Sequence, residues 1–213
     1  VGEFTPPPSP AEYEEYKPGQ PTTQLPNYAE LMGQPQTTGK FGQAYNFNGT
    51  ADYVSVPLSN PNIGDFTISA WAKFNNFSPN ANIILGNTPS GSSYFYFGTE
   101  GGNIRLRDFN LDSANDYDMS VVFTGKQTDI WYHIAATRSG STFKIFVNGV
   151  QMGSDYTSSA SGNNRTSGWE LGRMSQNPNY YFNGVMDEVR IFNRALTAAE
   201  IRALMLNYDP YEY

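Results

Sequence analysis

The chain has 213 residues, with 20 acidic against 13 basic side chains, a net charge of −7 and a pI near 4.6. That balance leaves no excess of Lys or Arg to neutralise nucleic-acid phosphates or an anionic membrane surface, and no run approaches the ~18 apolar residues that insert across a bilayer. The absence of cysteine excludes disulfides, thiol catalysis and thiolate metal sites, while 14 Phe, 15 Tyr and 3 Trp supply material for a sizeable core.

Composition shifts near residue 38. Residues 1–38 hold eight of the 14 prolines, and their charges are Glu3, Glu12, Glu14, Glu15 and Glu30 against Lys17. Proline withholds a backbone donor and resists both helix and central strand, so this acidic tail reads as extended and polyproline-like, with room for one helical turn at 27–32. It cannot build a core of its own. Its aromatic and aliphatic side chains, Phe4, Tyr13, Tyr16, Leu25 and Tyr28, are candidate anchors for docking on neighbouring copies in a homo-oligomer or larger assembly. Val1 in place of Met implies processing or trimming ahead of it, and no leader is visible.

From residue 39 to about 193 the chain reads as a succession of short strands. The run 44–47 and the run 53–56 flank the turn at Asn48-Gly49-Thr50. Residues 66–74 alternate with period two and place Phe66, Ile68, Ala70, Ala72 and Phe74 on one face. Further strands are read at 83–85, 94–97, 104–107, 119–123, 131–137, 142–147, 169–172 and 182–192, with Asn148-Gly149 as a strong hairpin turn. Many short strands without intervening helices predict an antiparallel β-sandwich. Thr197-Ala198-Ala199-Glu200 has the spacing of a capping box, and Ile201, Leu204 and Met205 make one apolar stripe, so a short C-terminal helix closes the domain. Residues 207–213 read as a C-terminal extension.

In this order the motifs 41–49, 52–57, 66–71, 131–135, 146–149, 171–172, 182–191 and, most specifically, Arg194-Ala195-Leu196-Thr197-Ala198-Ala199-Glu200-Ile201 resemble the laminin-G-like jelly rolls of the concanavalin A-like lectin/glucanase superfamily. The resemblance covers 39–206 and implies an all-β jelly-roll sandwich. Members serve as glycan-binding or adhesion modules on secreted, cell-surface or virion-surface proteins, or as structural subunits, so the fold alone does not choose a function. Either class is expected here: a non-catalytic module that binds glycans, with the tail mediating assembly, or a purely structural subunit of a homomeric filament or shell.

Several constellations bear on chemistry. His133 is the only histidine; it lies on a strand beside Trp131 and Tyr132, with no G-x-S-x-G nucleophile motif in the chain, and reads as a core or cross-strand residue. Some relatives in the superfamily hydrolyse glycosides with a Glu-x-Asp-x-x-Glu strand. Here Val185 and Arg190 stand where its glutamates would flank Asp187, so that chemistry is not expected. The resemblance also implies a structural calcium ion near Asn48, Asp52 and Asp187, since calcium takes several hard oxygen donors; the alternative is an Asp187 that hydrogen-bonds the opening turn. The run Asp108-x-Asn110-x-Asp112 has calcium-loop spacing, but Ser113 replaces the glycine and Met119 the bidentate glutamate, which leaves an acidic loop. Flat aromatic rings in loops are platforms for the apolar faces of sugars. The candidates are Asn177, Asn179, Tyr180 and Tyr181 in one loop, and Trp169, with Tyr94 and Tyr96 as alternatives.

Overall fold

The computed structural model describes residues 36–56, 64–77, 81–87, 93–110, 114–163, 168–174 and 179–206. The tail anchors Phe4, Tyr13, Tyr16, Leu25 and Tyr28, the loop residue Asn177 and the extension 207–213 lie outside them. In chain order the elements are β1 (Gln36–Thr38), β2 (Gln43–Asn48), β3 (Val54–Val56), β4 (Phe66–Phe74), β5 (Asn82–Asn87), β6 (Tyr94–Glu100) and β7 (Asn103–Phe109). They continue with β8 (Tyr117–Val122), β9 (Trp131–Ser139), β10 (Thr142–Val147), β11 (Val150–Thr157), β12 (Trp169–Leu171), β13 (Asn183–Phe192) and α1 (Ala198–Met205). The strands form two antiparallel sheets, one of seven in the order β1-β2-β13-β4-β9-β10-β11 and one of six in the order β3-β12-β5-β6-β7-β8. This is the expected sandwich. Its outermost strand, β1, falls within the segment read from sequence as tail.

Period-two alternation decides what lies between the sheets. Phe66, Ile68, Ala70, Ala72 and Phe74 of β4 are all fully buried and meet Phe95, Phe97, Ile104 and Leu106 from the opposite sheet. Phe182 closes this layer by edge and tilted contacts with Phe47 and Phe74 at ring separations of 5.8 and 5.2 Å. Removing one such ring costs about 3–5 kcal/mol, because the cavity left behind only partly collapses. The β10–β11 hairpin turns at Asn148 (φ 49°) and Gly149 (φ 74°), where two successive positive φ values suit the twist of the strands it joins.

The helix forms as its spacing predicts. Thr197 Oγ1 accepts the Glu200 backbone N–H at 3.2 Å, and Glu200 Oε2 accepts the Thr197 backbone N–H at 2.7 Å. Ile201 and Leu196 pack on Ala135 and Phe146, which point outward from the seven-stranded sheet, so α1 lies over that sheet's outer face. The outer face of the six-stranded sheet has no such helix among the described residues.

Candidate functional site

Cross-strand register carries one row of side chains across the outer face of the six-stranded sheet. Ser55 pairs with Glu170, Glu170 with Gly86, Gly86 with Tyr96, Tyr96 with Arg107, and Arg107 with Asp118. Paired residues share a face, so Tyr94 and Glu100 of β6 and Arg105 and Phe109 of β7 stand on it too. Residues 172–174 and 179–182 lie back over β5: Phe182 N–H donates to the Gly172 carbonyl at 2.7 Å and Met174 N–H to the Tyr180 carbonyl at 3.1 Å. This crossing requires Gly86, because a Cβ there would lie 2.2 Å from the Arg173 carbonyl oxygen. These described residues make a wall, and the outer face of β6 to β8 beside it is here called the trough.

The trough is floored by aromatic rings. Tyr96 is buried, and the half-buried Tyr180, Tyr94 and Phe109 stand around it. Successive centroids from Tyr180 through Tyr96 and Tyr94 to Phe109 are 6.4, 6.1 and 5.2 Å apart. Glu100 fixes two of these rings, accepting the Tyr96 and Tyr180 hydroxyls at 2.6 Å each. Arg105 bridges Glu100 and Asp118, and Arg107 lies over the Tyr94 and Phe109 rings at 5.3 and 5.2 Å with Asp118 at 3.4 Å. At one end Arg107, Phe109, Asp116, Asp118 and Tyr156 line a shallow hollow.

These contacts set the protonation states. Burial alone would raise the Glu100 carboxyl, but hydrogen bonds from Tyr180, Tyr96 and Arg105 outweigh it and hold the group below its ordinary range. The same bond to Glu100, followed by burial, pushes the Tyr180 hydroxyl up to about 12, and burial raises Tyr94 and Tyr96. Both phenols on Glu100 therefore stay neutral and the carboxylate stays charged across the physiological range.

Of the expected platform residues, Tyr180 joins the trough together with the alternatives Tyr94 and Tyr96. Tyr181 forms an isolated bridge with Arg173, whose guanidinium covers the Tyr53 ring at 3.2 Å and holds Glu170 by two bonds of 2.8 and 2.6 Å. Asn179 is exposed at the turn just before Tyr180. Trp169 is a correction: it is 1 % exposed and packs edge-on against Phe95 inside the sandwich, because its register with Val56 and Asn87 turns it to the core. Glu100, Arg105 and Arg107 were not singled out from sequence, and Phe109 and Asp118 only as part of the acidic run, although alternation from Tyr94 to Glu100 and from Arg105 to Phe109 carries the signal that puts them on one face.

The three residues expected to share a calcium ion are not brought together. Asn48 and Asp52 meet, but as a turn: Asn48 Oδ1 accepts the Thr50, Ala51 and Asp52 backbone N–H groups at 2.9–3.3 Å, and Asp52 accepts the Asn48 N–H at 2.9 Å. Asn48 pairs with Asn183, so Asp187 lies four residues further along β13, about 13 Å away at the rise of a strand. There Asp187 accepts the Phe41 and Glu188 N–H groups at 2.9 and 2.8 Å. It serves the turn at 39–42, where a Cβ on Gly39 would meet its Oδ2 at 2.5 Å. The donor set does not fit one cation, and among the described residues no group of three His, Cys, Asp or Glu is placed to hold a metal. Asp108 of the second acidic run is buried and accepts the Asn163 N–H and Nδ2–H at 2.8 Å each.

Comparison with solved structures finds the same architecture. Domain 4 of AbnA, a GH43 extracellular arabinanase from Geobacillus stearothermophilus solved with arabinotriose, superimposes with a TM-score of 0.62 at 23 % identity, covering 81 % of each chain. The binding domain of Paraclostridial Mosquitocidal Protein 1 gives 0.61 at 17 % identity over 84 % of this chain, which spans 46 % of that one. A heptameric SAP-like pentraxin from Limulus polyphemus gives 0.57 at 16 % identity, covering 75 % of this chain and 80 % of that one. No curated protein sequence matches the chain. A laminin-G-like family model matches residues 48–202, most of the sandwich and its helix. The chain belongs to the concanavalin A-like lectin/glucanases superfamily.

Proposed function

We propose that this chain is a non-catalytic glycan-binding module of an outward-facing protein, with the β6–β8 trough as its binding face. The observation that carries the reading is the Glu100 clamp: one carboxylate holds the Tyr96 and Tyr180 hydroxyls and Arg105, so the rings around it are pre-set before any ligand arrives. Flat rings flanked by charged hydrogen-bonding groups match the two sides of a sugar, its apolar face and its hydroxyl rim. Solved relatives described as an arabinanase domain with arabinotriose and as toxin binding domains support it by analogy of fold.

The same geometry argues against hydrolysis on this face. A glycosidase needs one carboxyl kept protonated as a general acid. Glu100 is instead held down by three donors, and Asp118 is paired with Arg105. The acidic, proline-rich residues 1–35 then have a separate role, tying the module into a homomeric assembly.

Affinity electrophoresis of the full chain against immobilised polysaccharides tests the binding role. Retardation that Tyr94→Ala and Tyr180→Ala weaken supports it. If no glycan retards the chain while sedimentation still shows assembly that is lost in the 36–213 fragment, the purely structural subunit replaces it.

A further inference from the structure

We infer that the trough takes an electrically neutral glycan chain longer than one sugar, an inference that rests on the glycan-binding reading above. The first observation is charge balance. Two guanidinium groups, Arg105 and Arg107, face two carboxylates, Glu100 and Asp118, and both are within ion-pair distance of a carboxylate. Arg105 is engaged by both acids at once, and Arg107 rests on two rings beside Asp118. An anionic sugar such as a uronate, sialate or sulfate ester would have to draw a guanidinium away from its carboxylate. It would leave that carboxylate partly desolvated beside the new anion, which costs more than the exchange returns.

The second observation is the sign of what surrounds the balanced patch. Asp116 joins Asp118 at the mouth of the hollow, and the whole chain carries −7. A second anion is therefore repelled on approach as well as on contact. Neutral hydroxyls face neither cost. They donate to the outer lone pairs of Glu100 and Asp118 and accept from Arg107, gaining charge-assisted hydrogen bonds without breaking a pair.

The third observation sets the length. The half-buried rings of Tyr180, Tyr94 and Phe109 are joined through buried Tyr96 by centroid steps of 6.4, 6.1 and 5.2 Å, the last crossing from β6 to β7, so together they offer more ring surface than a single sugar covers. A chain bridging from the wall to the hollow buries all three, and a monosaccharide buries one.

Isothermal titration of the full chain tests this with two sets of probes. The neutral set is arabinan, xylan, galactan, mannan and β-glucan oligosaccharides of graded length; the anionic set is polygalacturonate, sialylated oligosaccharides and chondroitin sulfate. The expected result is binding within the neutral set, stronger for oligomers than for the monomer, and changed by less than about twofold between roughly 0.05 and 0.5 M salt. Tyr94→Ala should weaken it by about tenfold, and a cooperative thermal transition shows that the variant is folded. Binding confined to the anionic set and lost in salt would overturn neutrality and leave the glycan-binding reading standing. Equal affinity for monomer and oligomer would overturn the chain length. Binding to neither set would overturn the glycan-binding reading itself, and this inference with it.

Discussion

The two outer faces of the sandwich solve opposite problems. On the six-stranded sheet the polar groups of the trough satisfy one another, with Glu100 accepting from two tyrosines and pairing with Arg105, while three rings stay half-buried. On the seven-stranded sheet α1 covers Ala135 and Phe146, and the turn at 39–42 covers Trp71 through Phe41 and Lys40. Beneath that cover Ser69 Oγ, Trp71 Nε1 and His133 Nδ1 are buried with no hydrogen-bond partner among the described residues. The difference separates function from stability. On the binding role proposed above, the open face holds polar groups in place for a ligand, and the covered face tolerates unsatisfied ones because the packing over them outweighs the cost.

The largest effect expected from breaking that contrast is at Trp71. Trp71→Ala removes edge contacts with Phe41 at 6.3 Å and His133 at 5.5 Å together with the Lys40 contact, and should cost about 3–5 kcal/mol by urea denaturation. Tyr94→Ala, at a half-buried ring of the trough, should cost under about 1 kcal/mol while weakening glycan binding about tenfold. Equal costs at the two sites would erase the distinction between the faces.

Acid should act on the covered face next. Burial, with the Arg190 charge adding to it, pushes the His133 imidazole down to about 4 from its ordinary 6.5. Between those values the unfolded chain binds a proton that the folded chain refuses. Stability therefore falls as pH drops from about 6.5 towards 4, by up to about 3 kcal/mol. His133→Gln should flatten that part of the stability–pH curve, as followed by denaturant midpoints; an unchanged slope in the variant would mean that another group carries it.

How much of each face was legible beforehand follows from parity. In Tyr94-Phe95-Tyr96-Phe97 the hydroxyl-bearing rings alternate with bare ones, and the structure puts Phe95 and Phe97 in the core and Tyr94 and Tyr96 outside it. The same alternation carries Arg105 and Arg107 onto the tyrosine face. Trp169 escaped this reasoning because its strand is three residues long, too short for alternation to tell inside from outside. Asp187 escaped it for another reason. Its partner depends on the register of β2 against β13 and on the irregularity between Asp187 and Arg190, neither of which leaves a local trace.

A smaller effect is expected at the clamp. Glu100→Gln keeps the shape but replaces a charged acceptor shared by Tyr96, Tyr180 and Arg105, and should cost about 1–3 kcal/mol. In the wild type the clamp's contribution is fully present above the unfolded carboxyl value and is lost only as pH falls through the lower folded one. Glycan affinity should accordingly be level from pH 7 down to about 5. A steep fall in that interval would show that Glu100 does not keep its charge there.

The smallest effect comes from loosening the cover without touching either face. Thr197 caps α1 reciprocally with Glu200, and Arg194 pairs with Glu200 at 2.7 Å, so Thr197→Ala leaves the carboxylate Arg194 and the backbone N–H of residue 197 but strips the Glu200 N–H of its acceptor. The expected cost is about 0.5–2 kcal/mol, because one orphan backbone donor returns to water and the helix frays above Ala135 and Phe146. The trough lies on the opposite outer face and shares no hydrogen-bond partner with the cap. Distant sites of that kind add independently to within a few tenths of a kcal/mol. Glycan affinity measured by titration should therefore be unchanged in Thr197→Ala even as its denaturation midpoint falls. A matching loss of affinity would show that the covered sheet transmits strain through the core to the open one, and the two faces would then have to be treated as a single coupled unit.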